Sequence, residues 1–117
     1  MTRLLACAAA LFATTTGAAD PKPVELFNGK DLTGWDGDTK LWKVDGDSIV
    51  GDSPGIKHNQ FLCTKDEYGD FELKLEFRIG KDSNSGVFLR AWPEGPPDGK
   101  DFIEVQLLDD TSPKFAG

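Results

Sequence analysis

Nine consecutive residues, Phe71 to Ile79, read FELKLEFRI and alternate without a break. Phe71, Leu73, Leu75, Phe77 and Ile79 fall on one side of an extended chain, with Glu72, Lys74, Glu76 and Arg78 on the other. Successive side chains of a strand point to opposite faces, so this pattern describes a strand with one face on a core and one in water. Any fold the chain adopts has to supply an apolar layer opposite those five side chains. No segment beyond residue 19 carries sustained helical periodicity, and the remaining apolar runs are short and rich in aromatic and β-branched residues.

The other strand candidates follow from their punctuation. Val24 to Phe27 runs into the turn signal Asn28-Gly29. Leu41 to Val44 and Ser48 to Val50 flank Asp45-Gly46-Asp47, a hairpin signal because glycine adopts the positive φ of tight turns at no steric cost. Phe61 to Thr64, Val87 to Trp92 and Phe102 to Leu108 complete the set, with Asn84, Ser85 and Gly86 as a tight entry to the second of these. The last two are joined by Pro93 to Lys100, a long proline-stiffened connection of the kind placed at the mouth of a site. Asp109 to Gly117 holds no strand pattern. The fold class expected is all-β.

Residues 1–19 read MTRLLACAAALFATTTGAA: Arg3, an apolar run from Leu4 to Ala13, then small residues suited to cleavage. This is the anatomy of a secretory signal peptide, and the run falls short of the ~20 apolar residues that span a bilayer. An exported, periplasmic or extracellular protein with no membrane span is expected, with residues 20–117 as one small domain. Loss of residues 1–19 removes Arg3 and no acid, taking the net charge from −7 to −8. That balance argues against nucleic acid as partner, because phosphate contacts need clustered Lys and Arg. Cys63 then stands alone without a disulfide partner, and its setting in FLCT reads as a small buried hydrophobe rather than a reactive thiol.

Alternation also groups polar residues. If Val87 and Leu89 share a core with Ile103, Val105 and Leu107, then Phe88 and Arg90 stand with Phe102, Glu104 and Gln106 on the opposite face, where Glu76 and Arg78 of the preceding strand are able to join them. A solvated sheet face with cross-strand ion pairs of ~0.2–1 kcal/mol each accounts for this pattern. So does a sugar-binding concavity, which combines aromatic rings with carboxylates and amides. Glu104 to Asp109 partly matches the Glu-x-Asp-x-x-Glu array of some β-sandwich glycosidases, with Gln and Asp in place of two of the acids. His58, the one histidine, is a candidate acid or base. No two-histidine metal spacing, phosphate loop or nucleophile elbow is present, and neither a metal nor a cofactor is expected.

Taken together, LFNGKDLTGW (Leu26 to Trp35), LWKVDGDSIVG (Leu41 to Gly51), YGDFELKLEFRI (Tyr68 to Ile79), NSGVFLR (Asn84 to Arg90) and FIEVQLLDD (Phe102 to Asp110) resemble the family once called domain of unknown function 1080. That family is now described as the 3-keto-disaccharide hydrolase, or 3-keto-glucoside-1,2-lyase and 3-keto-2-hydroxy-glucal hydratase, domain. The resemblance implies a concanavalin A-like jelly-roll sandwich acting on oxidised sugars. The family's domain continues with further strands, so a sandwich truncated after its N-terminal half is expected, with unpaired sheet edges. A ketone at C3 acidifies the C2 hydrogen, so elimination needs a base, a donor or cation on the enolate oxygen, and an acid for the leaving group. Glu104 suits the base or a hydroxyl clamp, Arg90 the enolate stabiliser and Gln106 a hydrogen-bond donor to substrate. Phe88 would line the sugar face, with His58 and Glu76 as reserve acids. Concanavalin-like sandwiches also serve as lectins, so a non-catalytic sugar-binding module stands beside the enzyme, as does an inactive fragment.

Overall fold

The computed structural model describes residues 2–13 as backbone and residues 22–53, 55–91 and 102–115 in full. Among these residues the chain forms nine strands and no helix: β1 (Thr2–Ala13), β2 (Val24–Glu25), β3 (Trp35–Asp36), β4 (Trp42–Asp45), β5 (Ser48–Ser53), β6 (Cys63–Thr64), β7 (Phe71–Ile79), β8 (Asn84–Leu89) and β9 (Ile103–Leu108). The all-β expectation holds, in the manner of a jelly-roll sandwich built from antiparallel strands. Trp92, the connection Pro93 to Lys100 and the expected cleavage region 14–19 lie outside the described residues.

Local chemistry sets the turns. Asp45 pairs with Ser48, leaving Gly46-Asp47 as a two-residue hairpin loop, and Gly46 takes the positive φ of 63° that such a loop requires. Between β2 and β3, Asn28 Oδ1 accepts the backbone N–H groups of Lys30 (2.8 Å) and Asp31 (2.9 Å). Asp31 Oδ1 in turn accepts the Thr33 N–H at 2.9 Å and the Asn28 side-chain amide at 2.7 Å. These side chains replace the ladder partners that an irregular backbone lacks. Trp35 Nε1 closes the segment by donating to the Leu26 carbonyl at 2.9 Å.

The main sheet holds β4, β5, β1 and β7 side by side, with β2 also pairing β1. β1 runs antiparallel to β5 from Thr2 to Cys7 and to β7 from Leu4 to Ala13, with an irregularity between Cys7 and Ala10. Residues that composition assigns to a leader thus occupy a central strand position. The ladder groups of β5 and β7 both need partners, and an extended segment between them satisfies two edges at once.

β8 and β9 form a separate antiparallel pair, from Asn84 opposite Leu108 to Leu89 opposite Ile103. Their apolar side, Val87, Leu89, Val105 and Leu107, meets Leu73, Leu75 and Phe77 of β7 across a cleft of about 400 Å³. This is the layer that the FELKLEFRI pattern demands. The contact is loose, because Phe77, Val105 and Ile103 remain 50%, 51% and 58% exposed. The tightly buried apolar side chains are Ile49 and Val50 of the hairpin, beside Ser48, with Phe27 before the Asn28 turn and Leu107 near the end of β9.

Several strand boundaries differ from the expected ones, β2 and β6 being shorter and β5 longer, and two of the differences bear on the site. β8 begins at Asn84, so Asn84, Ser85 and Gly86 are strand residues and not a tight entry; the turn lies earlier, where the Ser83 N–H donates to the Gly80 carbonyl at 3.2 Å. β8 also ends at Leu89, because Arg90 adopts a left-handed conformation with φ of 57° that breaks the extended chain.

Candidate functional site

The outer face of the β8–β9 pair carries the candidate residues that the fold does bring together. Phe88 lies opposite Glu104, and Gly86 opposite Gln106, in the antiparallel register. Alternation adds Asn84 on β8 and Phe102 just before β9 to the same face. The Phe88 and Phe102 rings are 4.8 Å apart and tilted by 43°. Phe61, from the loop that leads into β6, stands edge-on to Phe88 at 5.0 Å. Three rings therefore form a half-buried shelf beside a carboxylate and an amide. The sequence reading placed Phe61 in a strand candidate and missed its part here. Aromatic content was its one local signal, and only the return of the loop over the sheet brings it to Phe88.

Gln106 is held by its neighbours: its Nε2 donates to the Asn84 side-chain oxygen and to the Ser85 carbonyl, the latter at 3.1 Å. Both amide hydrogens are spent within the sheet, which leaves Oε1 as the atom available to a ligand. The expected role as a donor to substrate becomes that of an acceptor from a sugar hydroxyl. Glu104 is exposed and leans toward Gly86, whose missing side chain leaves room for the carboxylate.

Arg90 does not join this group. Its left-handed backbone takes it out of alternation, and its guanidinium donates to Asp70 Oδ1 at 3.1 Å, next to the start of β7. The expectation that it stands beside Glu104 fails because strand alternation ends one residue earlier. Glu76 does not join either. Its strand belongs to the other sheet, and the two sheets face each other through their apolar sides, which turns Glu76 and Glu104 to opposite outer surfaces. His58 sits in the exposed loop before Phe61.

Asp109, the final acid of the glycosidase-like array, lies beyond the end of β9 and works as a clasp. Its Oδ2 accepts the Asp82 N–H at 2.9 Å, and its Oδ1 accepts the Thr111 hydroxyl at 2.6 Å and the Thr111 N–H at 3.1 Å. These bonds, Thr111's hydroxyl foremost, hold its carboxyl below the ordinary carboxylate range. Its own N–H donates to the Ser83 carbonyl at 3.0 Å, and Ser112 donates to Asp82. Asp82 thereby tolerates a φ of 57° in the turn between β7 and β8. Cys63 is free and half-buried, and burial, with Asp36 second, pushes its thiol pKa up, away from the thiolate that nucleophilic chemistry needs.

A domain-family profile described as the 3-keto-alpha-glucoside-1,2-lyase-like domain matches residues 22–117. Searches of curated proteins and of solved structures return no match.

Proposed function

Because the chain belongs to the 3-keto-alpha-glucoside-1,2-lyase-like family, we propose that the outer face of β8–β9 binds a 3-keto-glycoside and that Glu104 removes its C2 proton. The observation that carries this reading is a carboxylate placed between an aromatic shelf and an amide acceptor: Phe61, Phe88 and Phe102 on one side, Gln106 on the other. A sugar ring lies flat on aromatic faces, which exclude water from one side of it and leave its hydroxyls to edge groups.

The chemistry assigned to the site is an elimination. The Glu104 carboxylate takes the C2 hydrogen as a proton, and the C2–H electron pair moves toward C3, forming an enolate on the ketone oxygen. That pair then forms the C1–C2 double bond as the C1–O bond breaks and the ketone is restored, and the departing oxygen takes its proton from solvent water. Addition of water across the double bond completes a net hydrolysis. Gln106 Oε1 accepts from a ring hydroxyl and fixes the sugar's rotation on the shelf. Arg90, paired with Asp70, is left out of this assignment, as are Glu76 and His58.

Glu104→Gln keeps the shape and removes the base. Turnover of a 3-keto-disaccharide, followed by release of the aglycone sugar, is expected to fall by roughly 100- to 10,000-fold in this variant, the range that a positioned base contributes. Turnover unchanged in Glu104→Gln overturns the assignment. Binding of an unoxidised glycan with no turnover of the keto form favours the lectin-like module instead.

A further inference from the structure

Glycine at position 86 serves a purpose different from the glycines of the turns. Gly46 stands at positive φ with open space around it, so it is glycine for backbone reasons. Gly86 lies inside β8, outside the left-handed region, in a conformation open to any residue. A Cβ built there collides with Glu104 Oε1 and comes within 3.0 Å of Glu104 Cγ and Cδ. The space a side chain would fill is occupied by the carboxylate arm of Glu104.

The register explains why the arm goes there. Glu104 lies directly opposite Phe88, and Gly86 is its diagonal neighbour opposite Gln106. Phe88 is packed between Phe61 and Phe102, so its ring occupies the position across from Glu104. The position two residues back along β8 bears no side chain. Asn84 and Gln106, bonded to each other, close the far side of that notch.

We propose that Gly86 is the positioning residue for Glu104: the notch it leaves seats the carboxylate between the Phe88 ring and the Gln106 amide, and so sets where the base meets the sugar. This rests on Glu104 being the base. The atoms that a Cβ meets are the far end of a flexible side chain and not backbone. A methyl group at position 86 therefore displaces the carboxylate and leaves the β8–β9 ladder in place.

The test uses the 117-residue chain and three measurements: thermal melts, the ¹³C carboxyl resonance of Glu104, and kinetics on a 3-keto-disaccharide. In Gly86→Ala the Glu104 resonance moves, kcat falls by roughly 10- to 100-fold as expected for a misplaced base, and KM changes little. Shortening the arm in Gly86→Ala/Glu104→Asp recovers part of the loss relative to the sum of the single changes. Adding Gly86→Ala to Glu104→Ala leaves the melting temperature unchanged. An unmoved Glu104 resonance in Gly86→Ala overturns the proposal, as does a melting loss equally large with and without the Glu104 side chain, which would assign the glycine to the backbone. Absence of turnover in the unsubstituted chain counts against the elimination alone, because the resonance and the melts still decide whether Gly86 seats the carboxylate.

Discussion

The β4–β5 hairpin and the β8–β9 pair are both two-stranded antiparallel units, and they are stabilised differently. In the hairpin a two-residue loop sets the register, and Ile49 and Val50 are only 5% and 3% exposed. In β8–β9 the register is equally regular over six residue pairs, yet on the core side only Leu107 is buried, while Ile103 and Val105 stay more than half exposed. Backbone pairing alone thus does not make a core. The hairpin joins a larger sheet through β5, with β4 at its edge, while β8–β9 meets β7 across an open cleft and is held by clasps at its ends: Arg90 to Asp70 at one, Asp109 to Asp82 and Ser83 at the other. The polar outer face, with its aromatic shelf, is the better organised side of that pair.

The largest effect expected on this contrast is a matched pair of truncations. Ile49→Ala removes a buried side chain from the hairpin and should cost about 2–5 kcal/mol in a denaturant melt. Val105→Ala, on the open cleft and about half exposed, should stay within about 0.5 kcal/mol of the parent. Equal losses would show that the cleft is closed in solution and that the two units are alike.

A smaller effect is expected at the Arg90 clasp. Both partners are more than half exposed, so Arg90→Ala should lower stability by only about 0.2–1 kcal/mol, with Asp70→Asn in addition costing nothing further. A loss of turnover without a change in melt would instead return Arg90 to the substrate.

The Asp109 clasp is tested by acid, alongside Asp31 in the loop before β3. Asp31 is held at about 2 against an ordinary 3.8, by the Thr33 side chain first and the Asn28 amide second; Asp109 is lowered by the bonds from Thr111 and Asp82. In both cases the folded chain favours the charged form, so the unfolded chain takes up protons first as pH falls. Their contribution is full above the ordinary carboxylate pKa and disappears as pH drops through the folded value. Asp31 is exposed and Asp109 only half-buried, so solvent screens both and the effect is the smallest of the three. Melts between pH 5 and pH 2 should show a shallower acid loss for Asp31→Asn and for Asp109→Asn than for the parent, and identical slopes would count against either clasp.

Much of this was legible from the residues. The period of two in FELKLEFRI, the Asp45-Gly46-Asp47 turn and the two faces of β8 and β9 are local properties of the chain, dictated by backbone geometry and side-chain chemistry. They also suffice to put Phe88, Glu104 and Gln106 on one surface. Alternation misled at Arg90, because a single left-handed residue ends the strand and no sequence rule marks an arginine for that conformation. It misled at Glu76 as well, because neighbouring strands in sequence went to different sheets.

What the sequence alone determined is therefore the all-β class, the alternating faces and the family, each of which depends on residues close along the chain or on the set of motifs as a whole. Only the tertiary structure decided the return of Phe61 over Phe88, the capture of Arg90 by Asp70, the strand made by residues 2–13 and the seating of Glu104 over Gly86. Those are contacts between segments distant in the chain, where the partner is selected by which surfaces pack together and local pattern carries no record of it.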